Sequence, residues 1–281
     1  MRLTSIVLEG REQAAVVLPA GLAPVAHINS QLNQSWPTDM LALIERGIDN
    51  DLGRDAARLT QAIDPSSVKV APLYRRPRKI WGIGLNYLDH AKDLDAPYPT
   101  APASFMKNDN TIIGADDVIE LPPQSERVTA EAELGLIIGR TCRAVSEQEA
   151  VSYLAGYCLI IDMTAEDILQ VNPRFLTRSK NFDTFFSFGP ELITPDEVPD
   201  VLALTVGTYN NGKLHRENQV CNMAFPPDYL VSFHSHVATL YPGDIISTGT
   251  PGAVVIKPGD VTECRIGGLG SLSNPVAKRE W

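Results

Sequence analysis

Ala130-Glu131-Ala132-Glu133-Leu134-Gly135-Leu136-Ile137-Ile138-Gly139 is the stretch on which the fold turns. Its second half is a continuous apolar run that reads as the body of a strand. Its first half sets two carboxylates at i, i+2 spacing. Strand side chains alternate faces, so Glu131 and Glu133 point the same way, about 7 Å apart along the strand, and can converge on one ion. Taken alone, Glu-x-Glu on a strand is commonly just a solvated face.

A second apolar run, Gly156-Tyr157-Cys158-Leu159-Ile160-Ile161, ends abruptly at Asp162 before Met163-Thr164-Ala165, where the sequence predicts a helix start. A carboxylate at the carboxyl end of a buried strand is a common place for a functional group. The alternative is that Asp162 caps the helix. Three carboxylates with no cysteine among them would form a hard oxygen site, suited to Mg²⁺, Mn²⁺ or Ca²⁺ rather than zinc.

Three further stretches carry chemistry. In Gly84-Leu85-Asn86-Tyr87-Leu88-Asp89-His90-Ala91-Lys92-Asp93 a strand gives way to a short helix, where His90 and Asp93 at i, i+3 share a face. The carboxylate can then orient the imidazole as a general base requires; the plain alternative is a surface histidine beside a chance acid. Thr177 to Phe185 is polar and basic within apolar surroundings, and its Lys180 could stabilise developing negative charge or merely solubilise. Ser247-Thr248-Gly249-Thr250-Pro251-Gly252 is small enough for backbone amides and a hydroxyl to approach a ligand closely, or to form a tight turn after a strand.

The rest of the chain is read as mainly β. Strands are expected at 79–82, 104–107, 118–121, 130–139, 156–163, 202–209, 244–247 and 260–266, and Asn211-Gly212 reads as a type I′ hairpin. Toward the N-terminus, residues 3–8 and 14–18 read as a hairpin. Helices follow from a Thr38 cap to Gly47 and over residues 51–62; later helices include one opened by Ser146-x-x-Glu149 and one over residues 228–240. The fold class is therefore α+β, with a small α/β domain at residues 1–72 preceding a strongly coiled β domain at 73–281.

Composition narrows the partners. The 281 residues carry 24 Lys+Arg against 34 Asp+Glu, a net charge of −10, which repels polyphosphate and argues against nucleic acid or an anionic membrane. The run Arg75-Arg76-Pro77-Arg78-Lys79 reads as a solvated linker. Cys142, Cys158, Cys221 and Cys264 form no CxxC pair, so free and mostly buried thiols are expected. With neither a leader segment nor an apolar span in the sequence, a cytoplasmic location is the expectation. His234 and His236, two apart on the expected helix, diverge by about 200° and do not make a metal pair; His27 and His215 have no partner visible in the sequence.

Taken in order, the segments Lys79 to Tyr87, Phe105-Met106-Lys107, Glu131-Ala132-Glu133-Leu134, Asp162-Met163-Thr164-Ala165, Arg178 to Thr184, Gly243-Asp244 with Thr248-Gly249-Thr250-Pro251, and Leu272 to Val276 closely resemble the fumarylacetoacetate hydrolase (FAH) family. The resemblance spans some 200 residues. It implies a β-coil, or mixed β-roll, catalytic domain, usually homodimeric, and a divalent ion, typically Mg²⁺, on Glu131, Glu133 and Asp162. It further implies that His90 paired with Asp93 is the general base, that Lys180 binds the substrate's oxyanion, and that Tyr87, Gln170, Gly249 and Thr250 line the substrate. The expected activity is hydrolytic C–C cleavage of a 1,3-dicarbonyl or 2,4-dioxo acid through its enolate. Decarboxylation, isomerisation or tautomerisation of an oxo acid uses the same machinery, and a catalytically silent binding protein is the reading from another class.

Two residues depart from the family pattern. Asp93 stands where Glu is common, and Glu166 stands where an arginine often holds an anionic substrate. If Glu166 faces the site as that arginine does, it sets a negative charge against the substrate and small dianions should be used poorly; the alternative is a solvated acid in the first turn of a helix, where it suits the macrodipole. Asp95 to Pro102 reads as a lid over the site.

Overall fold

The computed structural model describes residues 1–87 and 99–280. Its frame is the antiparallel pair Val128–Ile138 and Leu154–Ala165, in which only Glu131 and Leu154 are not fully buried. Such a pair can be apolar almost throughout because both of its faces are covered.

Among the described residues this pair lies inside a twelve-stranded sheet. The strand order is Gly21–Pro24, Arg11–Leu18, Arg2–Leu8, Phe186–Ile193, Leu154–Ala165, Val128–Ile138, Ile245–Ser247, Ile80–Gly84 and Ala103–Lys107; Lys69–Ala71, Ile112–Ile113 and Ala253–Ile256 pair off that path. A second sheet of five runs Lys213–Gln219, Thr205–Asn210, Val261–Ile266, Gly270–Lys278 and Ile119–Leu121. It packs its apolar side onto the frame, so that Val206, Cys264, Ile266 and Leu272 share one core with Ala132, Leu134 and Leu136. The chain is mainly β with helices at the margins, as expected, and all four cysteines are free, only Cys221 being exposed. No helix among the described residues is long and apolar enough to cross a membrane.

The proposed division at residues 72 and 73 falls between Lys69–Ala71 and Ile80–Gly84. Arg2–Leu8 pairs with Phe186–Ile193, Leu3 facing Leu192, and Leu3, Val16, Leu43 and Leu52 share a core with Ile137, Ile160, Phe186 and Ile245.

Several expected boundaries shift for local reasons. The second central strand continues through Asp162 to Ala165, because Val128, Thr129 and Ala130 offer a ladder to Ala165, Thr164 and Met163; the helix starts only at Glu166. Asp162 is thus an interior strand residue, not a helix cap. The helix expected from Thr38 is capped instead by the Asp39 carboxylate, which accepts from the amide of Ala42 at 2.9 Å. The one expected over residues 51–62 spans Asn50–Ala56 behind an Asp49 cap. Asn211 and Gly212 both have positive φ, at 53° and 72°, as a type I′ hairpin requires. The strands Phe186–Ile193 and Gly270–Lys278 were not anticipated, since each carries glycine and proline.

Gly156 lies where the frame meets its neighbour, and a Cβ there would press on the Ile193 carbonyl well inside contact distance. Gly156→Ala should cost about 1–3 kcal/mol in urea unfolding, the usual penalty of overpacking. Gly267→Ala, which has nothing within 4 Å of its added Cβ, should be close to neutral by the same measurement.

Candidate active site

Strand register assembles the site. Asp162 lies directly opposite Glu131, and Glu133 follows two residues along on the same face. One carboxylate oxygen from each of the three lies within 4.8 Å of the others. The donor set is all oxygen, and burial leaves it short of compensating charge, so it fits a hard divalent cation.

Two buried ammonium groups already partly offset it. Lys180, the last residue of helix Leu176–Lys180, donates to Asp162 Oδ2 at 2.7 Å and Glu131 Oε2 at 2.9 Å. Lys107, at the end of strand Ala103–Lys107, donates to Asp162 Oδ1 at 2.6 Å and also to the carbonyl of Lys180. Burial pulls the Lys107 ammonium below the usual lysine range against the attraction of Asp162. Burial acts on Lys180 in the same sense, but Asp162, Glu131 and Glu133 together outweigh it and hold that lysine raised. Three carboxylates against two ammonium groups leave one negative charge over. Burial, reinforced by Asp162 and Glu131, pushes the Glu133 carboxyl up to about 8, despite the opposing pull of Lys180 and Ser247.

The segment from Ser247 to Gly252 is built around Glu133. Val128–Ile138 pairs with Ile245–Ser247 along residues 135–137 and with Ala253–Ile256 along 128–131, so the connecting turn falls beside the gap at 132–134. There Ser247 Oγ donates to Glu133 Oε2 at 2.5 Å and the Gly249 amide donates to the same oxygen at 2.7 Å. Gly249 has φ +95°, and a Cβ on it would come within 2.8 Å of Asn86 Cβ, so only glycine fits. Asn86 in turn donates to the Thr248 carbonyl at 2.7 Å and accepts from the Phe225 amide at 2.9 Å, fixing the turn from outside. Thr164 Oγ completes the set by donating to Glu131 Oε1 at 2.6 Å.

The expected residues fall into three groups. Glu131, Glu133, Asp162 and Lys180 come together as described. Tyr87 is fully buried, and its hydroxyl, kept protonated chiefly by burial and then by the charge of Glu133, has no partner among the described residues. Gly249 and Thr250 sit at the site, but the Gly249 amide serves Glu133, and Thr250 Oγ is bonded at 3.2 Å within its own turn to Gly252. His90 and Asp93 lie outside the described residues, as do residues 95–98 of the expected lid.

Glu166 differs from expectation. It is no isolated negative charge: Arg127 Nε donates to Glu166 Oε2 at 2.6 Å and Gln170 Nε2 to Oε1 at 3.2 Å. Arg127 is 39 residues away in sequence, and only the register of the central strands brings it there. His234 is buried between Ser104 Oγ at 2.8 Å and the Leu230 carbonyl at 2.7 Å. Sequence reasoning assigned no role to Lys107, Thr164, Ser247 or Arg127. A signal existed for Lys107, a charged residue closing a β-rich segment, but its partners lie 55 and 73 positions away.

A β-roll that gathers three carboxylates and two lysines over one interior sheet face, in a group able to hold a divalent cation, is the frame of a small-molecule enzyme. Residues 79–277 match the sequence model of the fumarylacetoacetate (FAA) hydrolase C-terminal family, and the chain belongs to that family. The chain is 32% identical to the mitochondrial oxaloacetate tautomerase of Rattus norvegicus over 98% of this chain and 91% of that protein. It is 40% identical to 2,4-didehydro-3-deoxy-L-rhamnonate hydrolase of a Sphingomonas species over 72% of this chain and 74% of the relative. Maleylpyruvate hydrolase from Sphingobium sp. SYK-6, solved with manganese(II) and pyruvate, superimposes with a TM-score of 0.81 at 27% identity, the match covering 100% of both chains. Members of the family are hydrolases, isomerases and tautomerases, and this protein is an enzyme of the same kind.

Lys107→Met removes one of the two ammonium groups and leaves the carboxylates under-compensated. Breaking a buried pair in this way costs about 3–5 kcal/mol. The thermal midpoint of the ion-free variant should therefore drop well below wild type, and saturating Mg²⁺ or Mn²⁺ should recover most of the difference. Calorimetry in buffers of different ionisation enthalpy should also show protons released as an ion binds wild type at neutral pH, because a cation draws the raised Glu133 carboxyl toward its ionised form.

Proposed function

We propose that the protein is a divalent-metal-dependent hydrolase that cleaves a C–C bond in a 2,4-dioxo acid or related 1,3-dicarbonyl compound. The observation that carries this reading is the carboxylate trio with Lys180 held against it in a buried setting. A divalent cation on Glu131, Glu133 and Asp162, most simply Mg²⁺ with Mn²⁺ or Ca²⁺ as alternatives, would supply Lewis-acid polarisation of two adjacent substrate oxygens.

The chain's own groups supply the rest. Lys180 Nζ, bound to Glu131 and Asp162, exchanges a carboxylate for the substrate's oxyanion and stabilises the negative charge that develops there. Lys107 remains on Asp162 and on the Lys180 carbonyl, so the lysine-bearing helix end keeps its place as Lys180 changes partner. Gly249 N and Ser247 Oγ hold Glu133 in position. His90, oriented by Asp93, takes a proton from water as it attacks the carbonyl that becomes the released acid. Tyr87 offers a neutral hydroxyl donor near Glu133 for a substrate oxygen. Two copies of the chain forming a homodimer, and a cytoplasmic setting, complete the proposal.

A second reading, tautomerisation of an oxo acid, is favoured by the near full-length similarity to the oxaloacetate tautomerase. It needs the same oxyanion support and a base for carbon-bound protons, without attack by water. Acylpyruvates and oxaloacetate, assayed with Mg²⁺ and Mn²⁺ and followed by product analysis, separate the two. Hydrolysis releases two acids and abolishes the diketone chromophore, whereas tautomerisation changes the enol band and releases nothing. EDTA should remove the activity and added metal restore it; full turnover by ion-free protein would refute the proposal. His90→Ala should lower kcat by about two to four orders of magnitude while leaving metal affinity unchanged.

A further inference from the structure

The face that carries the trio does not end at Asp162. Glu131 and Asp162 form one cross-strand row, Thr129 and Thr164 the next, and the Glu166 amide donates to the Arg127 carbonyl at 2.8 Å, continuing the ladder one residue beyond the Val128–Ala165 pair. Arg127 and Glu166 therefore stand opposite each other as a third row on the same face. Alternate strand residues repeat every ~6.7 Å, which puts the Arg127 backbone about 13 Å from that of Glu131.

The pair is held from several sides. Glu166 Oε2 takes Arg127 Nε at 2.6 Å and its Oε1 takes Gln170 Nε2 at 3.2 Å. The next residue, Asp167, accepts from Ser125 Oγ at 2.6 Å and from the Glu126 amide at 2.8 Å, pinning the segment that leads into Arg127. One edge of the guanidinium is thus occupied and its conformation set. Its two terminal amino groups have no hydrogen-bond partner among the described residues, and the side chain is 51% exposed. A guanidinium anchored through Nε with both terminal nitrogens open is a two-pronged receptor for a carboxylate. Glu166 uses both of its oxygens on donors already present, which limits its repulsion of an arriving anion.

We propose that Arg127, oriented by Glu166, binds a second carboxylate at the far end of the substrate, making the enzyme selective for oxo acids with an anionic terminus. This rests on the trio binding the oxo-acid end, as in the function proposed above. Between Arg127 and the trio lies the Thr129 and Thr164 row, both residues buried. Arg127 is in this sense a specificity-determining residue and Glu166 a positioning residue.

The test compares two non-hydrolysable oxo acids of equal length, 2-oxoadipate with a carboxylate terminus and 2-oxohexanoate with a methyl terminus. Their affinities for the Mn²⁺-loaded protein are measured by calorimetry. Wild type should bind 2-oxoadipate about ten- to a hundredfold more tightly, the value of hydrogen bonds to a charged group. Arg127→Met should bring the ratio close to one without changing the Kd of 2-oxohexanoate, and Arg127→Lys should recover part of it. Equal affinities in wild type, or a ratio unchanged in Arg127→Met, would reduce Arg127 to a surface ion pair and overturn the proposal while leaving the functional reading intact. A matching loss of both ligands in the variant would likewise overturn it, as a merely structural effect. Failure of wild type to bind either acid would refute both readings together.

Discussion

Five ionisable side chains, four from strands and Lys180 from a helix end, meet over one interior face of a sheet, and their mutual compensation governs the rest of the structure around them. Isolated charges in such surroundings would neutralise or bring in water. Here each ammonium group meets a carboxylate at 2.6–2.9 Å, and the remaining imbalance falls on Glu133. The cluster is therefore satisfied only in part without a cation, which is the condition of a receptor.

Holding those groups in place requires a frame that does not yield. The central strand pair supplies it through burial on both faces, and the second sheet closes over one of them. Close packing is what makes Gly135, Gly139 and Gly156 obligatory along that pair: each would drive a Cβ into a neighbouring strand residue. The helices that deliver Lys180 and Glu166 are short, five and six residues, and owe their placement to this frame rather than to intrinsic helix stability.

The same ladder links chemistry to selectivity. Chelation belongs to the rows at Glu131 and Glu133, and the outer row at Arg127 and Glu166 lies beyond the buried threonines. A substitution in the outer row can change which acids are accepted while the inner rows stay untouched. Relatives matched here bear the names of a tautomerase and of hydrolases of different acids, a range expected when a constant core is combined with a variable rim.

The sequence by itself determined the class of fold, the apolar central strands, the Asn211-Gly212 hairpin and the grouping of Glu131 with Glu133. These are local properties, written in residue type and in the period of two along a strand. Asp162 was legible as a candidate, although its position inside the ladder was not, because a strand continues only where a partner strand offers hydrogen bonds. The tertiary structure alone decided the remainder. Lys107, Ser247 and the Gly249 amide reach the trio across 55, 114 and 116 residues. The charge of Glu166, hostile to anions on the page, is answered by Arg127 from the opposite strand. Periodicity records which face a side chain occupies, but register between distant strands depends on the packing of the whole sheet, and it is register that chooses each charge's neighbour.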